Sequence, residues 1–329
     1  MVNLYKPTLR RQDMQGVLEA MADEAIGPGE RKSGFEEAFK ELVPFKKAYA
    51  LRSLEYAIRF SLQNLNLGEN ARVLISPLAP SIYKRVLDSL GIELAFADVD
   101  PLTGILKWTK GAEKCDAIIQ YLPSENPIPE EYKQFREKTI LDISAVVGQK
   151  GLEEWGAFAV CSLEDNDVIS CGGGAILLSD NEITSSMYKE ISMPDLNASL
   201  GNVQLKFFRD YCKKRREIAT LYNQAFLRVG DKHKLFGVPF VEIKEEDNNA
   251  FRFSVTLNSK LDDMQKFAKK SGVAIGRTFE DSLAITLSLR DDSLSDSIYT
   301  ASRTIYFPLY YFLKTSEIET VSKMIAHLI

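Results

Sequence analysis

The stretch GAFAVCSLEDNDVISCGGGAILLSD (156–180) decides how this chain is read. An apolar run, Phe158–Cys161, is followed by an acidic loop that holds Glu164, Asp165 and Asp167. Three glycines, Gly172–Gly174, then lead into a second apolar run, Ala175–Leu178. Short apolar runs bounded by turn residues predict two buried strands joined by a polar loop. No lysine occurs between Lys150 and Lys189, so the loop carries no amine of its own.

The same kind of run recurs upstream at Ala48–Leu51, Val73–Ser76, Leu94–Ala97, Ala117–Tyr121 and Thr139–Ile143. Helical patterns lie between the early runs, at Ser53–Leu67 and Ser81–Leu90, each closed by a glycine, Gly68 and Gly91. Alternating strands and helices imply crossovers and a mostly parallel sheet. Strands with few polar positions imply helices on both faces. The predicted fold is therefore α/β: a three-layer α/β/α arrangement around a seven-stranded sheet. Ligands of such sheets sit at the carboxyl ends of strands, which directs attention to the segments after Ser76, Asp142 and Ser162.

A long helix is predicted over Leu200–Phe226, with apolar residues at helical intervals. Gly230–Gly237 reads as a polar hinge. Beyond it, strands at Phe251–Leu257 and Ala284–Leu289 and helices at Leu261–Ser271 and Ser316–Leu328 predict a smaller α+β domain. The expected division is residues 1–229 and 230–329.

Composition excludes several functions. The net charge of −5 gives no basic footprint for nucleic acid, and the dense cluster Lys213–Arg216 lies in a helical pattern. No apolar run is long enough to cross a membrane, and MVNLYKPTLRRQDM has no apolar core, so a cytoplasmic protein is expected. The cysteines Cys115, Cys161, Cys171 and Cys212 lack metal-type spacing. His233 and His327 lie far from the quoted stretch, which argues against histidine acid–base or metal chemistry there.

Longer motifs carry a resemblance to a known family. AIGPGERKSGFEEAF (25–39) holds a glycine-containing lead-in before a phenylalanine–glutamate pair. RVLISPL (72–78), FADVDPLTG (96–104), MPDLNASLGNVQLKFFRDYCKKRREIATLYNQAF (193–226) and YFPLYYFLKTSEIETVSKMI (306–325) follow in order. Together they resemble the DegT/StrS sugar aminotransferases, pyridoxal-phosphate enzymes that act on nucleotide-linked keto-sugars. The resemblance implies an aspartate-aminotransferase-like fold, a homodimer and pyridoxal phosphate as the family's cofactor.

What the resemblance implies for single residues divides sharply. Asp142 matches the aspartate that faces the pyridine nitrogen, and Ser162 matches a phosphate-binding serine. A strand-end aspartate also serves as a turn cap, and a serine after a strand also bonds local backbone. The phosphate-cradling Ser-Gly-Thr reads Ser53-Leu54-Glu55, which keeps the serine and loses the rest. The stacking aromatic position reads Pro80, and the residue contacting the ring hydroxyl reads Ala145. The Schiff-base lysine falls on Asp167 counted from Gly156, or on Asn166 counted back from the glycines. Neither can form an imine. Between Gly174 and Met193 the chain is also shorter than the family pattern, where residues normally cross the dimer.

The sequence thus predicts a family member that has lost transamination, holds no cofactor and no metal, and serves as a binding or regulatory homologue, with a nucleotide-sugar as its expected ligand class. A retained aminotransferase and a lysine-free enzyme using Asp167, Glu55 or Asp142 as acid–base groups stay open as alternatives. The glycine triplet reads as structural, and Glu164, Asp165 and Asp167 as a solvated loop before a cation site. Arg277 and Arg290 could grip an anion, with surface ion pairs as the plainer reading.

Overall fold

A computed structural model describes residues 1–107, 112–183, 188–237 and 249–328. The seven predicted strands all form: β1 (Lys47–Leu51), β2 (Arg72–Ile75), β3 (Glu93–Phe96), β4 (Ala117–Tyr121), β5 (Thr139–Asp142), β6 (Phe158–Ser162) and β7 (Ala175–Ser179). They make one sheet in the order β1-β7-β6-β5-β4-β2-β3. The steps from β3 through β2, β4 and β5 to β6 are parallel, while β7 runs antiparallel to both β6 and β1.

Alternation along each strand explains why these runs are apolar throughout. Leu74 and Ile118 point to one face, into a cluster with Phe35 and Phe39. Their neighbours Val73, Ile75, Ala117 and Ile119 point to the other, with Ile58, Tyr83 and Val86. Both faces are therefore dry, and each demands a helical layer. Phe35 and Phe39 come from α2 (Glu30–Leu42), which follows α1 (Arg11–Ala22). Ile58 comes from α3 (Leu54–Gln63), and Tyr83 and Val86 from α4 (Ile82–Ser89).

After α5 (Tyr188–Ile191), the predicted long helix is two helices, α6 (Asp195–Lys206) and α7 (Phe208–Phe226), broken at Phe207. No glycine or proline marks the break. The Arg10 guanidinium stacks on the Phe207 ring with 3.6 Å to its centroid. Asp195, at the start of α6, also caps α2 from outside: its carboxylate accepts from the amides of Gly29 and Lys32 at 2.8 Å and of Arg31 at 3.2 Å. Three orphan donors of one helix are thereby satisfied by a side chain on another.

A second sheet follows, of β8 (Lys234–Phe236), β9 (Phe253–Thr256), β10 (Gly276–Arg277) and β11 (Thr304–Phe307), in the antiparallel order β10-β11-β9-β8. Its core joins residues of α7, α8 (Leu261–Lys270) and α11 (Thr315–Ile325). Two expectations fail here. The hinge Gly230–Gly237 contains β8. The strand expected at Ala284–Leu289 is instead the short helix α9 (Leu283–Thr286), followed by α10 (Ser295–Arg303). Ser282 stands at the N-cap of α9, and its carbonyl accepts from the Thr286 hydroxyl at 2.9 Å, so the stretch curls into a single turn.

Among the described residues, no helix is long and apolar enough to cross a membrane.

Candidate functional site

The carboxyl ends of β2, β4, β5 and β6 open toward residues 278–282, and a cavity of about 220 Å³ lies between them. Pro80, Asp142, Ala145, Ser162 and Asp167 all line it. Leu54, Leu78, Tyr121 and Ser144 complete the wall on the large-sheet side. Phe251, Arg252, Thr278, Phe279, Asp281 and Ser282 face them. The parallel sheet accounts for the convergence, because its strands all deliver their following loops to one edge.

Asp142 is the most tightly held group. Its Oδ1 accepts from the Ser144 amide at 3.0 Å and the Ser144 hydroxyl at 2.6 Å. Its Oδ2 accepts from the Tyr83 phenol at 2.7 Å. Asp142 thus closes its own Asp-x-Ser turn while it lines the cavity. Burial pushes its carboxyl up, and the bonds from Ser144 and Tyr83 hold it down. The Tyr83 phenol is pushed well above its ordinary value by burial and by the Asp142 charge, so it donates as a neutral group. Ser144 Oγ in turn accepts from the Ser162 amide at 2.9 Å, which ties the ends of β5 and β6 together.

Asp167 turns inward from the loop after β6. Its Oδ2 accepts from the Glu164 amide at 2.8 Å. Burial pushes its carboxyl up to about 6, against hydrogen bonding from Ser162 and Glu164 and the charge of Arg252. Asn166 is exposed and lines only a small neighbouring cleft of about 30 Å³ beneath residues 4–8, which Asp167 shares. Glu164 and Asp165 are exposed. Among the described residues, no group of histidine, cysteine, aspartate or glutamate side chains is arranged to hold a metal.

Ser53 and Glu55 are not in the cavity wall. Ser53 stands at the N-cap of α3 without a side-chain bond to it. Glu55 turns to the surface, where it pairs with Arg85 at 3.1 Å and Arg59 at 3.9 Å. Leu54 is the residue of that trio that reaches the cavity. Arg277 lies on β10, half-buried, and Arg290 is exposed; neither is in the cavity wall.

Arg252, which no local sequence pattern marks, stands in the facing wall. Its guanidinium lies over Tyr306 and Phe251, at 4.5 Å and 4.7 Å from the ring centroids, and donates to the Thr278 carbonyl at 3.2 Å. The segment before it is pinned. Asn249 Nδ2 donates to the carbonyls of Ala145 and Val147 at 3.2 Å and 3.1 Å. Ala250 takes a left-handed conformation, with φ of 49°. Arg215 Nε donates to the Ala250 carbonyl at 3.0 Å, and Glu125 accepts from the Asn249 amide at 3.1 Å. Burial pushes the Glu125 carboxyl up to about 7. Only Ser144 had a local signal, two residues after Asp142. Arg252, Asp281 and Ser282 reach the cavity, and Tyr83 reaches Asp142 behind its wall, through long-range packing.

Pyridoxal phosphate does not fit these residues as a covalent guest. An imine needs an amine, and among the described residues no lysine lines the cavity. The carboxylate that would face a pyridine nitrogen already accepts protein donors on both oxygens. Leu54 stands where the resemblance sets a glycine for close approach to phosphate.

Comparison with known proteins gives the context. The family model described as the DegT/DnrJ/EryC1/StrS aminotransferase family matches residues 7–116 and 180–326. The unmatched middle, 117–179, holds Asp142, Ser162 and Asp167. A dTDP-4-dehydro-2,3,6-trideoxy-D-glucose 4-aminotransferase of Saccharopolyspora spinosa is 21% identical, covering 98% of this chain and 95% of its own. The aminotransferase TlmJ of Streptoalloteichus hindustanus superposes with a TM-score of 0.84 at 21% identity, over 99% of this chain and 98% of its own. The sugar aminotransferase Spr1654 of Streptococcus pneumoniae, described as putative and solved in a PLP form, gives 0.84 at 15% identity, over 99% and 97%. With a family model matching well over half its length, the chain belongs to the DegT/DnrJ/EryC1/StrS aminotransferase family.

Proposed function

We propose that this chain is a family member without pyridoxal-phosphate transamination, acting as a binding or regulatory homologue in nucleotide-sugar or surface-polysaccharide metabolism. One observation carries the reading: Asp167, in the slot the resemblance gives to the lysine, lines the cavity as a carboxylate. A carboxylate cannot form the imine that tethers the cofactor in transamination. The engaged oxygens of Asp142 support the same reading. The relatives' sugar substrates suggest the ligand class. The test is a titration of the purified chain with pyridoxal phosphate, followed by absorbance. Free-cofactor spectra throughout are expected; a saturable imine band that ketoacid and amino donor interconvert overturns the reading and restores an aminotransferase.

One observation favours a second reading, lysine-free acid–base chemistry on a nucleotide-sugar. The Asp167 carboxyl, raised to about 6, lies near the range useful to a general base. Turnover of a keto-sugar nucleotide that Asp167→Asn abolishes would favour this enzyme over the non-catalytic homologue.

We further propose a cytoplasmic homodimer of two-domain protomers divided at residues 229 and 230. Met14, Leu18 and Met21 stand exposed at helical spacing on α1, with exposed Ile26 just beyond, and such an apolar stripe supports a covered face. Sedimentation at micromolar concentration should give the dimer mass; a monomer refutes that part.

A further inference from the structure

The charge of the cavity is opposite to what a phosphate ligand needs. Three carboxylates, Asp142, Asp167 and Asp281, share its wall with one guanidinium, Arg252. Their bonds differ in what they leave free. Asp142 is engaged on both oxygens. Asp281 accepts from the Ser81 hydroxyl at 2.7 Å. Asp167 accepts from the Glu164 amide and is also hydrogen-bonded by the Ser162 side chain, and among the described residues no lysine or arginine forms an ion pair with it. Arg252 bonds the Thr278 carbonyl and lies over Tyr306, and its charge favours the ionised Asp167 carboxylate.

A second observation points to a ligand with hydroxyl or amine groups. Ser282 lines the cavity, is 2% exposed, and its hydroxyl has no hydrogen-bond partner among the described residues. A buried hydroxyl without a partner is unfavourable, and a ligand donor or acceptor would relieve it. The volume of about 220 Å³ exceeds the roughly 150 Å³ that admits benzene, so one ring-sized guest has room. Burial makes an ammonium–carboxylate bond here stronger than the same bond in water.

We propose that the cavity binds a small hydroxylated amine in its ammonium form, with Asp167 as the carboxylate partner of the ammonium and Ser282 bonding a hydroxyl. The proposal rests on the reading that no pyridoxal phosphate is held there. Phosphate monoesters are disfavoured by the same carboxylates that attract the amine.

Calorimetric titration of the full chain with glucosamine, glucose and inorganic phosphate at neutral pH tests it. Glucosamine should bind saturably, glucose at least about tenfold more weakly, and phosphate not at all. Asp167→Asn should weaken glucosamine about tenfold or more while leaving glucose unchanged. Ser282→Ala, a smaller change that keeps the wall intact, should weaken both sugars. Equal affinity for glucose and glucosamine, wild-type affinity in Asp167→Asn, a response to phosphate, or no glucosamine binding in the millimolar range overturns the proposal. A covalent pyridoxal-phosphate adduct would instead overturn the reading beneath it, so the two failures are distinct.

Discussion

Replacing Asp167 with asparagine should stabilise the protein at high pH and leave it nearly unchanged at low pH. The carboxyl is held at about 6 in the fold against 3.8 for a free aspartate. Between those values the folded chain binds a proton that the unfolded chain releases. The group's contribution is therefore fully favourable below 3.8, and it is lost as pH rises through about 6. A difference of roughly two units at about 1.36 kcal/mol each gives about 3 kcal/mol, an upper figure because the side chain is only half-buried. Asp167→Asn keeps an acceptor for the Glu164 amide and removes the charge. For a chain of 329 residues, about 3 kcal/mol corresponds to roughly 4 °C in melting temperature. Melting curves at pH 8 and pH 4 would measure it. A variant less stable than wild type at pH 8, or a difference that does not change with pH, would refute the reasoning.

Other perturbations probe the scaffold around the cavity. Tyr83→Phe removes one donor from the buried Asp142 carboxylate and should cost about 1.5–3 kcal/mol in urea unfolding. Gly174→Ala should cost roughly 2–4 kcal/mol, because its φ of 108° disfavours a side chain and a Cβ would lie 2.9 Å from the Leu51 carbonyl oxygen. Asp195→Ala leaves three amides at the start of α2 uncapped and should cost about 1–2 kcal/mol, with faster hydrogen exchange at residues 29–32 as its local signature.

The sheet was legible because its strands are buried on both faces. Each strand had to be apolar at every position, which is a strong signal in a short window. Ends shifted by about a residue, as at Thr139–Ile143 against β5 (Thr139–Asp142). The second sheet was less legible because its elements are short. Ala284–Leu289 carries the same apolar density whether it curls or extends, and only Ser282 before it hinted at a helix start. The break at Phe207 left no trace, since it depends on Arg10 from a distant segment. In the site, the strand-end positions Asp142 and Ser162 could be found from their strands, and Asp167 only by counting along the loop after β6. Glu55 was misplaced because a helix rotation of one residue exchanges the cavity for the surface, and Leu54 took the inward position. Arg252, Asp281 and Ser282 come from the far side of the cavity, where local pattern says nothing about proximity.

The central claim is that the loop after β6 presents a carboxylate where an imine-forming lysine would stand. Borohydride reduction of the protein incubated with pyridoxal phosphate, followed by peptide mass mapping, tests it most directly. The account predicts no stoichiometric pyridoxyl adduct on any peptide. One pyridoxyl group per chain on a single lysine, protected by a keto-sugar nucleotide, would contradict it.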